Sequence, residues 1–320
     1  MAAAVREAGL PVVVRPLLSG LGETGDPATR VVLVFPTHGF TAPASVLKAA
    51  RRLPRGRGRE AFVVATRGAS RIAGWLLPGY EGSAALLVAL ILLAKGYRVR
   101  GIAGVDMPSN WTAVHPGLPP DAVAAIEARA QRRAVSLVAE MLGGRCVAPG
   151  RLSVLLAVVL LPLSQAYLLA GRHVLSGLFF ASDRCVGCGL CAESCPHGAI
   201  EMVGMGDGAR PLWTLRCETC MRCMAYCPTQ AIEASYLLGV AAYGPVMMPA
   251  GRRLLDTLSG RLPRTLMALM SGALVLGVMR PWIGRMLRIP WFNRLLTHTT
   301  PTYYYRRYHE PSTRLQDLTG

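Results

Sequence analysis

Residues Cys185–Pro196 read CVGCGLCAESCP, and residues Cys217–Pro228 read CETCMRCMAYCP. Both stretches follow the pattern C-x2-C-x2-C-x3-C-P. Of the nine cysteines in the chain, only Cys146 lies outside them. Such dense runs are metal-ligand spacing, not the dispersed framework of a disulfide-stapled domain. Thiolates are soft ligands that suit iron–sulfur clusters. Three cysteines at two-residue gaps wrap one cluster, and the fourth, after a longer gap, points away toward another. The proline then closes the loop without a backbone N–H to donate. Beyond each proline the triplet Ala-Ile-Glu recurs, at 199–201 and 231–233. Its settings, HGAIEM and TQAIEA, read as short helix starts. One small unit has been duplicated. A pair of four-cysteine zinc sites is the competing interpretation. Zinc sites rarely carry three evenly spaced cysteines and a Cys-Pro, twice over.

Over residues 181–236 the chain resembles the bacterial two-cluster ferredoxins, small α+β domains. The resemblance implies two [4Fe-4S] clusters with crossed ligands. One is expected on Cys185, Cys188, Cys191 and Cys227, the other on Cys217, Cys220, Cys223 and Cys195. Gly187, Gly189 and Ala192 are small enough for backbone amides to approach the cluster sulfurs, one lever on reduction potential. Cys146, in GGRCVAPG, is expected to be a small inert residue.

At 320 residues the chain is long enough for two domains, and 52% of it is hydrophobic. Only 17% is charged, yet the net charge is +17, nearly all of it from Arg. That excess suits an acidic redox partner protein, an anionic membrane surface, or nucleic acid. The N-terminus, MAAAVREAGLPVVV, places acidic Glu7 where a secretory signal needs an apolar core. A non-secreted protein on the reducing cytoplasmic side is expected.

The first 148 residues alternate apolar runs with helical segments. RVVLVFP (30–36), AFVVAT (61–66) and Tyr97–Val105 read as strands. Ala44–Arg52, Ser83–Lys95 and Pro120–Leu142 read as helices. Such alternation predicts an α/β domain with a buried parallel sheet. Its ligands would sit beyond the carboxyl ends of the strands. The segment resembles a flavodoxin-type domain. FPTHGFTAPASVLK (35–48), VDMPSNW (105–111) and RPLWTLRCETCMRCMAYCP (210–228), in that order, resemble a family of flavodoxin–ferredoxin fusions. The resemblance implies FMN, held by loops Pro36, Thr37, His38, Gly39, Phe40 and Thr66, Arg67, Gly68, Ala69. His38 reads equally as a turn residue, and Pro108–Trp111 equally as an Asn-bearing turn or a functional surface. The start departs from that family. MAAAVREAG looks like the end of the first helix and LPVVVRPL (10–17) like the second strand. The first strand and the phosphate-cradling loop are not seen. Either they lie upstream of Met1, or the domain has lost FMN and serves as a scaffold.

Residues 149–180 form an apolar bridge. Leu152–Ala170 is long enough to span a bilayer, but it contains Pro162 and Gln165. A helix buried between domains, or lying in a membrane interface, is preferred to a span. Residues 237–320 are apolar and Arg-rich. YLLGVAAYGPVMMPA (236–250) and TLMALMSGALVLGVM (265–279) are punctuated by Arg252, Arg253, Arg261, Arg264, Arg280, Arg285 and Arg288, with Trp282 and Trp291 nearby. This pattern fits a monotopic or hairpin membrane anchor; a helical subdomain packed on the ferredoxin is the alternative. TPTYYYRRYHEP (300–311) mixes aromatic and basic residues as single-strand binders do. No nucleic-acid fold module accompanies it, and a docked arm explains it as well. No nucleophile–base constellation stands out.

These features predict an iron–sulfur electron-transfer protein, coupled to FMN through its first domain. A flavin-free redox subunit or assembly factor of a membrane complex is one alternative. A flavin-dependent reductase of a small substrate such as a quinone is another.

Overall fold

A computed structural model describes residues 1–17, 29–240 and 282–308, with isolated positions between 248 and 278. The chain divides into two compact units, Met1–Ser109 with Leu118–Leu168, and Asn110–Gly117 with Leu169–Gly320. The division departs from boundaries at 148 and 180 in two places. Residues up to Leu168 belong to the first unit, and residues 110–117 belong to the second.

The first unit opens on a short helix, α1 (Ala2–Glu7), and is built on β1 (Val31–Pro36), β2 (Glu60–Ile72), β3 (Trp75–Leu77) and β4 (Arg98–Pro108). β1 and β4 pair with β2 in parallel, one on each side. β3 folds back on the end of β2 as a hairpin, from Ile72↔Trp75 to Ser70↔Leu77. Its two-residue turn, Ala73-Gly74, has φ of 49° and 85°, the left-handed pair that suits a tight hairpin. β2 is central, and Ala61 through Ala65 are buried on both faces. On one face Val63 packs with α2 (Ala44–Arg52) and α3 (Ala84–Ala94). On the other, Phe62 and Val64 pack with α4 (Pro120–Leu142). Each such fully buried side chain contributes about 1.5–3 kcal/mol. β1 alternates instead: Val31, Leu33 and Phe35 are buried, while Val32 and Val34 are 41% and 49% exposed. It is an edge strand covered on one face, where uniform burial was expected.

Two further expectations are corrected here. Residues 10–17 form no strand, and Val13 and Val14 are exposed. Pro11 and Pro16 cannot donate to a ladder, and among the described residues no strand pairs with this segment. Thr66–Ala69 is not a loop but the continuing body of β2, paired with β4 as far as Ala69↔Pro108.

The apolar bridge is α5 (Arg151–Val159) followed by α6 (Leu161–Ala166), a π turn (Tyr167–Gly171) and α7 (Arg172–Gly177). The helical path bends by 56° between α5 and the stretch that begins at Leu161. Pro162 explains the bend, because it lacks an N–H and its ring clashes with the preceding turn. Among the described residues no single helix is long and apolar enough to cross a membrane; this bent pair passes only when taken together. α5 is not a buried helix: Leu152, Leu155, Val158 and Val159 are all exposed.

The second unit carries two small antiparallel ladders. β5 (Phe179–Ala181) pairs with β8 (Ile232–Ala234), and β6 (Ile200–Val203) pairs with β7 (Arg210–Trp213). The expected helix starts at HGAIEM and TQAIEA are therefore strands. A three-residue apolar run is too short for periodicity to separate the two states, and ladder pairing decides. The helical pieces are α8 (Leu190–Glu193), α9 (Arg222–Ala225) and α10 (Pro290–His298). Phe180, Met221, Met224 and Ile232 fill the core. Trp111 and Ala113, from the 110–117 excursion, pack there too. Ala113 O accepts from Tyr236 Oη at 2.5 Å. Pro108 of the PSNW stretch ends β4, Trp111 packs on the core and Asn110 is exposed; the turn itself falls at 112–114.

Residues 301–308 form the docked arm. Glu233 in β8 is fully buried. It accepts from Arg307 Nη2 at 2.8 Å, Arg184 Nη2 at 3.0 Å and Thr302 Oγ1 at 2.6 Å. Arg184 also lies 4.0 Å over the Tyr303 ring. Tyr303 and Arg307 of this stretch are engaged within the unit, whereas Tyr304 and Arg306 are exposed. Most of the apolar segments 236–250 and 265–279, with Arg252, Arg261, Arg264 and Arg280, lie outside the described residues.

Candidate iron–sulfur site

Each cysteine run wraps a loop that closes on a short helix, and the backbone shows why the spacing works. Gly187 and Gly189 adopt φ of 70° and 77°. Their counterparts in the second copy, Thr219 and Met221, adopt 52° and 62°. The same left-handed turns therefore recur where no glycine relieves them, at roughly 1–2 kcal/mol each. The pattern continues past the prolines, with Gly198 at 52° and Gln230 at 51°. The conformation is imposed by the site, not by residue preference.

These loops bring the cysteines together in two groups. Cys185, Cys188, Cys191 and Cys227 line one cavity, with Tyr226 and Met202. Cys195, Cys217, Cys220 and Cys223 line a second, with His197 and Trp213. Cys223 borders both cavities, so the two are neighbours. The last cysteine of each run thus sits with the first three of the other run. The duplication extends to sulfur hydrogen bonds: Ala199 N donates to Cys195 Sγ and Ala231 N to Cys227 Sγ, each at 3.3 Å. Thr219 N donates to Cys217 Sγ at 3.4 Å. The identical Ala of the Ala-Ile-Glu triplet was the sequence signal for this pair of donors, which spacing alone had not marked.

Burial pushes the Cys191 thiol up to about 12, and its neighbours Cys227, Cys185 and Cys188 add to the rise. Burial likewise raises Cys223 well above the ordinary thiol value, with Cys217 and Cys220 adding. Burial raises Cys220 too; Arg222 N–H opposes this and Cys195 reinforces it. These thiols stay protonated until a metal centre displaces the protons, which couples loading to proton release. Among the described residues no group of three His, Cys, Asp or Glu side chains could hold a single ion. A tetrahedral zinc site needs four sulfurs about 2.3 Å from one centre, whereas a cluster spreads its ligands over four corners. The donor set, its grouping and its amide donors fit [4Fe-4S] clusters.

Residues that spacing did not single out complete the surroundings. Arg222 Nη1 donates to Ser194 O at 3.1 Å, tying the two cysteine loops together. Arg172 pairs with the buried Glu218 at 2.9 Å. Burial lowers the His197 imidazole below its usual value; Glu218 opposes this, and Arg222 and Arg172 reinforce it.

The residues expected to hold FMN are differently employed. Pro36 ends β1, and His38 and Thr41 exchange two backbone hydrogen bonds at 2.9 and 3.1 Å. Gly39 and Phe40, between them, have φ of 53° and 62°. This is a closed turn. Its Phe40 carbonyl accepts from Ser83 N at 2.9 Å and from Ser164 Oγ at 2.9 Å. The Tyr167 ring lies against Gly39, where even a Cβ would collide with it. Thr37 N donates to Thr66 O at 2.8 Å. Arg67 is held by Glu81 at 2.5 Å and Asp106 at 2.7 Å, both buried. Burial works against its charge, but these two carboxylates outweigh it and raise its pKa. Asp106 also accepts from Gly79 N at 3.1 Å. Gly68 and Ala69 are strand residues, and Ala69 is buried. Tyr167 packs over the first loop and residues 66–69 are strand, so neither stretch is the open loop expected beside a flavin ring.

The 4Fe-4S binding domain family matches residues 179–201. A protein of Escherichia coli named for electron transport, YsaA, is 34% identical over 62 residues, 18% of this chain and 38% of that protein. A ferredoxin of Pyrobaculum islandicum is 38% identical over 51 residues, 16% of this chain and 46% of that protein. The chain spans less than half the length of either relative. No solved structure matches this chain. The second unit contains a 4Fe-4S, ferredoxin-like region.

Proposed function

We propose that the chain is an iron–sulfur electron carrier with two [4Fe-4S] clusters. One is held by Cys185, Cys188, Cys191 and Cys227, the other by Cys195, Cys217, Cys220 and Cys223. The observation that carries this is the division of the eight thiols into two adjacent cavities with exchanged fourth cysteines. Adjacent clusters sharing a wall at Cys223 suit one-electron transfer between them. The protein's part is to bind the clusters, set amide donors on their sulfurs and limit water. The strongly basic surface favours an acidic partner protein.

The first unit serves this carrier as a scaffold. The order β1-β2-β4, with helices on both faces, supports a flavodoxin-like architecture. We assign no step to a flavin: the turn at Gly39 is packed by Tyr167, and Arg67 is committed to Glu81 and Asp106. A membrane face is the proposed location. Exposed Trp282, Trp291 and Leu295 stand among Arg285, Arg288 and Arg294, the mixture that favours an anionic interface.

Anaerobically purified protein is expected to hold eight irons and eight sulfides per chain, by order of the two clusters, and no flavin. Cys227→Ser and Cys195→Ser should each damage the cluster of the opposite run. Eight irons with an unchanged paramagnetic spectrum in either variant would refute the crossed ligation. A stoichiometric flavin in the purified protein would refute the scaffold role.

A further inference from the structure

A cavity of about 330 Å³ lies in the second unit, beside the second thiol group. Phe179 and Trp213 line both that cavity and the one enclosed by Cys195, Cys217, Cys220 and Cys223. Their rings are 5.6 Å apart at 58°. Leu212 and Ile283 extend the apolar wall. Three cations, Arg210, Arg285 and Arg288, also line it. Among the described residues Arg285 and Arg288 have no carboxylate partner. Aromatic walls with several guanidinium donors suit a flat apolar ring that carries oxygen acceptors. The helical residues 282–286 that form one side also expose Trp282 and Met286, by 63% and 42%. The same short element therefore lines the cavity and presents an apolar surface of the kind that meets lipid.

We propose that this cavity binds the headgroup of a quinone and that the adjacent cluster reduces it. The redox half of the proposal rests on the two-cluster assignment above. Conversion of the bound quinone to quinol needs two electrons, one from each reduced cluster, and two protons from solvent. Both carbonyls become hydroxyls, and a one-electron donor protein then re-reduces the clusters. Arg285 and Arg288 would donate to the quinone oxygens, while Phe179 and Trp213 stack on the ring between it and the cluster.

Gly284 gives a direct test. A Cβ there would have its nearest neighbour, Leu212 Cδ1, at 4.0 Å. A Cβ there meets no backbone, and because Gly284 lines the cavity, which no cysteine lines, a larger side chain is expected to fill part of it. Full-length, cluster-loaded protein is titrated with 2-heptyl-4-hydroxyquinoline N-oxide, a redox-inert quinone mimic whose fluorescence is quenched on binding. Iron is counted on the same samples. Saturable quenching at one site per chain is expected. It should weaken by about tenfold or more in Gly284→Phe, equivalent to about 1.4 kcal/mol. A similar loss is expected in the Arg285→Ala/Arg288→Ala double variant, which leaves the packing intact should the Phe disturb it. Absence of saturable quenching, or wild-type binding in both variants, overturns the proposal. Fewer than eight irons with the mimic still bound overturns the cluster assignment and the reduction step, and leaves the binding site standing.

Discussion

Replacing Glu233 by Gln should unlatch the arm at residues 301–308. The side chain is fully buried and is the common acceptor for Arg307, Arg184 and Thr302. Glutamine keeps the shape and removes the charge. Arg307 is only 4% exposed and is then left as an uncompensated buried cation. Breaking one side of a buried pair costs about 3–5 kcal/mol. Arg184 is 32% exposed, so water screens it and its share is about 1 kcal/mol or less. About 4 kcal/mol corresponds to roughly a thousandfold rise in the population of the released arm. Trypsin cleavage after Arg306 or Arg307 reads that population directly when opening is fast relative to cutting. Cleavage should accelerate by two to three orders of magnitude, while the cluster absorbance persists at first. The double variant Glu233→Leu/Arg307→Met removes both charges and should return cleavage to within about tenfold of wild type, as apolar replacement of a buried pair commonly does. An acceleration below about fivefold in Glu233→Gln would refute the latch.

Gln230→Gly should stabilise the second unit by roughly 0.5–1 kcal/mol, relief of the left-handed strain minus the glycine entropy; Gly198→Gln should do the reverse, both read from chemical denaturation of the loaded protein. Arg67→Met leaves the buried Glu81 and Asp106 facing each other, and should cost about 3–5 kcal/mol in thermal unfolding of the first unit. A cost below about 1 kcal/mol would mean that Arg67 is free to serve a ligand. The Arg71 hydrogen bond holds the Asp121 carboxyl below 3.8. The stabilisation it gives is present above the unfolded value and is lost as pH falls through the lowered one. NMR titration of Asp121 should move up to the ordinary range in Arg71→Ala; an unchanged midpoint would refute the pairing in solution.

The cysteine groups were legible because ligand spacing is local and chemically specific. The same holds for α2, α3 and α4, whose residues fall close to the spans that their apolar patterns predicted. Errors arose where distant partners decide. Thr66-Arg67-Gly68-Ala69 carries loop-like residues, yet pairing with β4 keeps it extended. Ile200 and Ile232 stand in short runs whose state depends on pairing with Trp213 and Ala181. Val13 and Val14 have strand propensity without a partner. The latch on Glu233 joins residues separated by 74 positions, and nothing in either local stretch announces it. The triplets made Glu201 and Glu233 look equivalent. Glu201 is in fact 60% exposed in a loose 3.6 Å pair with Arg216, whereas Glu233 is a buried hub.

The excursion of residues 110–117 into the second unit has a consequence for synthesis. Thr112 meets Met224 across 112 positions of chain. At roughly 5–20 residues per second, about 6–22 seconds separate the emergence of Trp111 and Ala113 from that of the core they enter. During that interval the first unit can close its sheet, while the excursion waits outside it as an apolar loop. The second unit cannot complete its core, nor set its cluster loops, until the ribosome has passed the last cysteine. Cluster loading therefore cannot be completed before Cys227 has been synthesised, about 60 residues after the first unit's last residue, Leu168.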